Sequence, residues 1–202
     1  MARRKVSNTL ALAVLGLLQE KAMHPYEMAS TLRERGKDSS FKVNTGSLYD
    51  TVQSLRRHGW ITEVETVRDS RRPERTVYAT TDVGQQEFVS WVDELIRTPA
   101  TEYPRFMAAV AYLGALGPER AVEALSERVR HLDRQIEESR QLQDETVGAG
   151  LLPRLFMIEG EYALCVLQAE RAWTQRTRDE IRDGTLIWPE IEQVDRGRED
   201  KS

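Results

Sequence analysis

TGSLYDTVQSLRRHGW, residues Thr45 to Trp60, has the spacing of a short amphipathic helix. Placing successive residues about 100° apart puts Leu48, Val52 and Leu55 on one stripe and Gly46, Asp50, Gln53, Ser54 and Arg57 on the opposite side. A merely solvated face would tolerate almost any polar set. Ser, Gln and Arg are also the side chains that read base edges and hold phosphates, so the neighbouring elements decide what this face is for.

Upstream, Ser7 or Asn8 caps a helix through Leu10, Leu12, Ala13, Val14, Leu17 and Leu18, apolar nearly all round and therefore central to a core. A second helix starts near Pro25, because proline suits a first helical turn, and ends at Gly36, with Tyr26, Met28, Ala29 and Leu32 on its expected buried side. Asn44 or Thr45 caps the third helix, which stops at Gly59. Downstream, TEVETV (Thr62 to Val67) and RTVYA (Arg75 to Ala79) are rich in β-branched residues and flank the loop RDSRRPE. That is a hairpin whose tip carries Arg68, Arg71 and Arg72. Three helices, the third with a polar exposed face, followed by a two-stranded ribbon, have the order of a winged helix-turn-helix.

The chain has 202 residues, 40% of them hydrophobic, enough for a genuine core. Its net charge of −4 argues against nucleic acid only as an average. Residues 1–90 hold 14 Lys/Arg and 11 Asp/Glu, and the remainder holds 15 and 22, so a basic front half precedes an acidic back half. The single cysteine, Cys165, allows neither an intrachain disulfide nor a paired-cysteine metal knuckle, which fits a reducing cytoplasm. The longest apolar run, Leu10 to Leu18, falls well short of the ~20 residues a membrane helix needs, and no small-residue cleavage site follows it. His24, His58 and His131 are widely separated and match no metal motif, and His58 stands where a helix end takes a cation. With no phosphate-binding glycine loop and no nucleophile elbow, an enzyme, a cofactor and a metal are not expected.

The back half reads as helices. One runs from Thr81 or Asp82 to Arg97 with Phe88, Trp91, Val92, Leu95 and Ile96, and another from Tyr103 to Leu116 with Phe106, Met107, Val110, Ala111 and Leu113. In a third, Val122, Leu125, Val129, Leu132 and Ile136 step 3, 4, 3, 4, a heptad seam. A fourth spans Pro153 to Arg182, with Leu155, Ile158, Tyr162, Cys165, Ala169 and Trp173 at similar steps. Trp188 pins down the segment that follows. Part of this apolar surface packs within the chain. The remainder suits a second copy, because helix-turn-helix readers pair to place two recognition helices about 34 Å apart. The expected fold class is mainly α: a winged helix-turn-helix DNA-binding domain at 1–80, a helical dimerisation and effector domain at 81–183, and a flexible tail at 184–202.

These residues resemble the PadR-like transcriptional regulators. The likeness runs over LALAVLGLLQEKAMHPYEM (Leu10 to Met28), the opening helix with its exit at Ile61, and VYATTDVGQQEF (Val77 to Phe88). Its most diagnostic pieces are Gly46, Leu48 and Tyr49, then Gly59 to Ile61, then Tyr78 with Thr81 and Gly84. Asp50 stands where the family usually has proline, and Pro25 where it usually has glycine. The resemblance implies a homodimer bound to a palindromic operator in double-stranded DNA, with Tyr49 on a phosphate. It also implies release by a small aromatic ligand, for which Trp91 and Trp173 offer stacking faces. From the geometry, Gln53, Ser54 and Arg57 face bases or phosphates, and Asn44, Thr45 and Ser47 lie at a helix start that favours phosphate. Arg71 and Arg72 would reach phosphates or the neighbouring minor groove from the wing. Each of these residues also has a plainer reading, as cap, packing or cationic last turn. The expected function is a cytoplasmic, sequence-specific repressor; the alternative is a winged-helix scaffold that binds protein and selects no DNA.

Overall fold

The computed structural model describes residues 6–37, 44–69, 72–148 and 153–188. It divides into two compact units, Met1–Thr101 and Glu102–Ser202. The first contains α1 (Thr9–Glu20), α2 (Pro25–Glu34), α3 (Thr45–Arg57), the antiparallel strands β1 (Ile61–Asp69) and β2 (Arg72–Thr80), and α4 (Asp82–Arg97). The second contains α5 (Arg105–Val110), α6 (Pro118–Gly148) and α7 (Ile158–Arg182).

In the first unit α1 is the centre. Leu10, Ala11, Val14, Leu15, Leu17 and Leu18 are buried and share one core with Met28 and Leu32 of α2, Leu48, Val52 and Leu55 of α3, and Trp91 of α4. The chain's turn signals do what their chemistry requires. Asn8 Oδ1 accepts from Leu10 N and starts α1. Gly36 and Gly59, at φ 65° and 71°, close α2 and α3 in the left-handed conformation. After each, the next residue's N–H donates back five residues, Lys37 to the Leu32 carbonyl and Trp60 to that of Leu55, the paired pattern that absorbs orphan carbonyls. Between α1 and α2, Met23 pairs with Tyr78 through two backbone hydrogen bonds, adding a third extended segment beside the hairpin.

Three expectations for this unit need correction. Tyr26 is 66% exposed, not buried. The buried stripe of α2 is Pro25, Met28, Ala29 and Leu32, and Tyr26 falls about 100° outside it. The strands reach beyond TEVETV and RTVYA, pairing out to Asp69 opposite Arg72, so Arg68, at a register shift within β1, and Arg72, at the start of β2, lie in strands and not in a loop. In α4, Gly84, Phe88 and Trp91 turn inward at helical spacing, leaving Val92, Leu95 and Ile96 exposed.

The ends of α1 and α2 are joined by a two-pronged ion pair, Arg35 to Glu20 at 2.6 and 2.7 Å. The hydrogen bonds from Arg35 hold the Glu20 carboxyl below its ordinary range. A carboxyl whose folded value is depressed stabilises the fold above the unfolded value near 4.3 and loses that contribution as pH falls through the folded one. Glu20→Gln is expected to lower unfolding free energy at pH 7 by roughly 0.5 kcal/mol, since the pair is solvated. Urea titrations of the two proteins should converge at acid pH; an equal gap at pH 7 and pH 2 would count against the pairing.

In the second unit α6 and α7 form an antiparallel hairpin. Ala121, Leu125, Val129, Leu132 and Ile136 are buried, so the heptad seam is real, with Ala121 replacing the half-buried Val122 at its start. Leu113, Leu116 and Trp188 pack on Ala121, Leu125 and Ile181, so Trp188 does hold its segment down. Residues 189–202, most of the expected tail, lie outside the described residues. Arg171 Nε donates to Asp133 at 2.7 Å and Arg128 Nε to Glu170 at 2.8 Å, both across the hairpin.

The expected helix from Tyr103 to Leu116 is instead the six-residue α5 and a 3-10 turn at Leu113–Leu116. Pro104 keeps Tyr103 out of helical geometry, and Gly114 and Gly117 weaken the far end. The last helix begins at Ile158, not Pro153; a 3-10 turn at Arg154–Phe156 precedes it. Arg154 clamps Glu161 at 2.9 and 2.8 Å over an opening turn that has no side-chain cap. The larger correction concerns which side of α7 is buried. Leu164, Leu167, Arg171, Thr174, Arg178 and Ile181 are buried or half-buried at 3 and 4 steps. The expected seam of Leu155, Ile158, Tyr162, Cys165 and Ala169 is exposed.

Candidate nucleic-acid interface

The opening helix is held rigidly from both ends and beneath. Asn44 Oδ1 accepts from Ser47 N at 2.7 Å, and Thr51, buried, donates its hydroxyl to the Ser47 carbonyl at 2.6 Å. At the exit His58 Nδ1 donates to the Ser54 carbonyl at 2.7 Å. Leu48, Val52 and Leu55 are wholly buried, which fixes how far α3 can roll. Thr81 then ties the exit to α4: its hydroxyl donates to the Gly59 carbonyl at 2.7 Å and accepts from Gly84 N at 3.1 Å. The three parts of the sequence signature, around Tyr49, Gly59 and Thr81, are thus one mechanical assembly under α3.

What α3 leaves outside is polar. Gln53 and Arg57 are exposed, Ser47 and Ser54 half-buried, and Tyr49 is 44% exposed. The two terminal arginines separate in role. Arg56 is drawn to Glu63 at the base of β1, Nε to Oε1 at 3.1 Å. Arg57 Nε reaches the Gln53 carbonyl at 3.4 Å, and among the described residues no carboxylate pairs with its guanidinium. Asn44 is a cap first, as its plainer reading had it. Thr45 opens α3 and Arg72 opens β2, their side chains being outside what is described; Arg71 lies outside the described residues altogether. Gly46 and Asp50 also lie on this exposed face, opposite the buried stripe.

The other candidates lie apart. Trp91 is 4% exposed, inside the first unit's core. Trp173, in the second unit, meets Phe106 edge-on at 5.8 Å, and the Arg128 guanidinium sits 3.5 Å from the centre of that phenyl ring. His24 caps α2 by accepting from Tyr26 N, and His131 accepts from Arg134. Among the described residues no group of His, Cys, Asp and Glu is placed to hold a metal ion. No described helix is long and apolar enough to cross a membrane.

The description of the transcriptional regulator PadR-like family matches residues 14–90, from the middle of α1 through most of α4. Residues 14–90 are thus similar to a PadR-like domain. The negative transcriptional regulator PadR of Bacillus subtilis (strain 168) is 24% identical over 121 residues, 60% of this chain and 65% of the relative. The matched stretch therefore spans just under two thirds of that protein's length. In fold the likeness extends past the PadR-like domain. The crystal structure of Bacillus subtilis PadR in complex with operator DNA superposes with a TM-score of 0.70 at 21% identity, covering 86% of this chain and 99% of that one. The same relative in complex with p-coumaric acid gives 0.70 at 19%, covering 87% and 99%. A winged helix followed by a helical C-terminal region is thus the architecture of both.

Proposed function

We propose that this chain is a homodimeric, sequence-specific DNA-binding regulator that represses transcription by occupying an operator and is released by a small aromatic ligand. The observation that carries the reading is the uncommitted polar face of α3, rigidly seated beside the wing of a PadR-like domain. In this reading residues 1–80 contact DNA, with Gln53 toward base edges, Ser54, Arg57, Tyr49 and Ser47 toward bases or phosphates, and Arg71 and Arg72 toward phosphates or the neighbouring minor groove. Residues 81–183 pair the subunits. The exposed apolar side of α7 supports that, since an apolar strip facing away from its own hairpin asks for a second surface. The relative's complexes with operator DNA and p-coumaric acid support the two ligand classes. Trp173 has a partly open aromatic face for such a ligand; Trp91 would first have to be uncovered.

The test is fluorescence anisotropy on the palindrome nearest the promoter of the chain's own gene. Specific binding should weaken steeply with salt, by about 0.9 log unit per phosphate contact and log unit of salt. Gln53→Ala with Arg57→Ala is expected to lower operator affinity by roughly 30-fold or more, on about 1 kcal/mol or more per lost base contact, with the dimer intact. Full affinity in that double variant removes these residues from the interface. Sequence-blind binding by the unaltered protein favours the protein-interaction scaffold, and an operator complex indifferent to p-coumaric acid excludes that compound as the releasing ligand.

A further inference from the structure

Asp50 is an acidic residue on the surface proposed to meet a polyanion. It is exposed on α3, one turn after Gly46 and one turn before Ser54. Measured around the helix, it stands about 160° from the Leu48–Val52–Leu55 stripe, beside Arg57 and Gln53 on the line farthest from the core. Tyr49 and Arg56 occupy one flank of this face and Ser47 and Ser54 the other. A helix seated in a major groove turns its central line to the base edges and its flanks to the phosphate walls. Asp50 therefore faces bases, where a carboxylate is an acceptor, and not phosphates, where it would only repel.

Among the described residues nothing uses that acceptor. No ion pair or hydrogen bond engages the Asp50 carboxylate among the described residues; of the two arginines of α3, Arg56 is committed to Glu63 and Arg57 Nε turns to the Gln53 carbonyl. Gly46 clears the approach. A Cβ built there meets nothing closer than Asn44 Oδ1 at 3.7 Å, and its φ is not positive, so neither space nor backbone conformation inside the protein demands glycine. The open first turn lets the groove floor come close to the residue one turn on.

A carboxylate has no proton to offer, so it can pair only with a donor. The major groove presents two, cytosine N4 and adenine N6; guanine and thymine present acceptors. Beside adenine N6 lies the N7 acceptor, which would face a carboxylate with like polarity, whereas cytosine N4 has a C–H neighbour. Resting on the proposed function, we infer that Asp50 reads a cytosine in each half-site and excludes guanine and thymine from that position.

Selection of duplexes with a randomised core by the full-length protein tests this, comparing the unaltered chain with Asp50→Ala and Asp50→Asn. The unaltered chain should enrich a palindrome with cytosine at one symmetric position of each half, preferred over guanine or thymine by roughly tenfold. Asp50→Ala should enrich the same palindrome with that one position open to all four bases, the retained remainder showing that the fold and the dimer persist. Asp50→Asn, whose amide can pair with both N6 and N7, should move the preference to adenine. An Asp50→Ala protein that still selects the identical palindrome at every position overturns the assignment and leaves the regulator standing. Should the unaltered chain select no common sequence, the assignment and the regulator fall together.

Discussion

Gly84→Ala is expected to destabilise the N-terminal unit by about 3 kcal/mol, although the same change in an ordinary helix interior stabilises by about 1 kcal/mol. Gly84 lies in the first turn of α4, and a Cβ there would sit 1.9 Å from the Trp60 carbonyl oxygen and 2.8 Å from both the Trp60 carbonyl carbon and Thr80 Oγ1. Two of these three atoms are backbone, so no side-chain rotation relieves the overlap. Something larger must move. The Trp60 carbonyl accepts from Thr81 N at 3.0 Å, and Trp60 N closes the C-terminus of α3. Displacing it loosens the exit of α3 and the cap of α4 together. For a unit of this size the loss corresponds to a fall in melting temperature on the order of 15 °C, read by circular dichroism on the full chain. Gly46→Ala provides the contrast. Nothing crowds that site, so a gain of several tenths of a kcal/mol is expected from helix propensity. A Gly84→Ala protein that melts at or above the unaltered chain would show that α3 and α4 do not approach so closely.

That contrast explains why much of the N-terminal unit was legible in the sequence. Gly36, Gly59, Pro25 and Asn44 act through local backbone chemistry, and each marks a helix end in the structure as its residue type predicts. The heptad of α6 was equally plain, because a strong one-sided stripe next to a second helix has only one place to go. Periodicity identifies a face without saying what covers it. Trp91 illustrates the point: its spacing marked it as inward, yet not that it would enter the core around α1. In α7 the inference failed because both sides are mixed. The buried line includes Arg171, Thr174 and Arg178, which satisfy polar atoms through Asp133, Glu170 and Asp179, so it does not read as hydrophobic at all. Of the candidate site, α3 could be read from its wheel. The pairing of Arg56 with Glu63 could not, since it depends on where β1 returns relative to the helix.

Charging the outer side of α7 should abolish the proposed dimer and with it the proposed operator binding. Tyr162 and Ile158, 72% and 48% exposed, lie one turn apart on this side, near Leu155 at 71%. Because both side chains are already largely in water within one subunit, Ile158→Glu with Tyr162→Glu leaves the hairpin seam of Leu125, Val129 and Leu132 untouched, and the folded subunit should survive. In a dimer that uses this strip the two glutamates would be buried against apolar surface and against their own symmetry copies, because a two-fold interface presents each residue's surroundings to itself. Losing two central anchors typically costs 2 kcal/mol or more apiece, so dissociation should rise on the order of 1,000-fold, enough to leave monomers at micromolar concentration. The consequence for DNA is larger than any single contact. One winged helix fills one half-site, and only a joined pair spans two sites about 34 Å apart; the monomer should fall toward non-specific affinity, roughly 1,000-fold weaker. Sedimentation velocity gives the mass and anisotropy the affinity on the same preparation. If the double variant sediments as the unaltered protein does and holds the operator equally well, the subunits join through some other surface. If it becomes monomeric yet keeps its operator affinity, one domain suffices for recognition and the palindrome loses its physical reason.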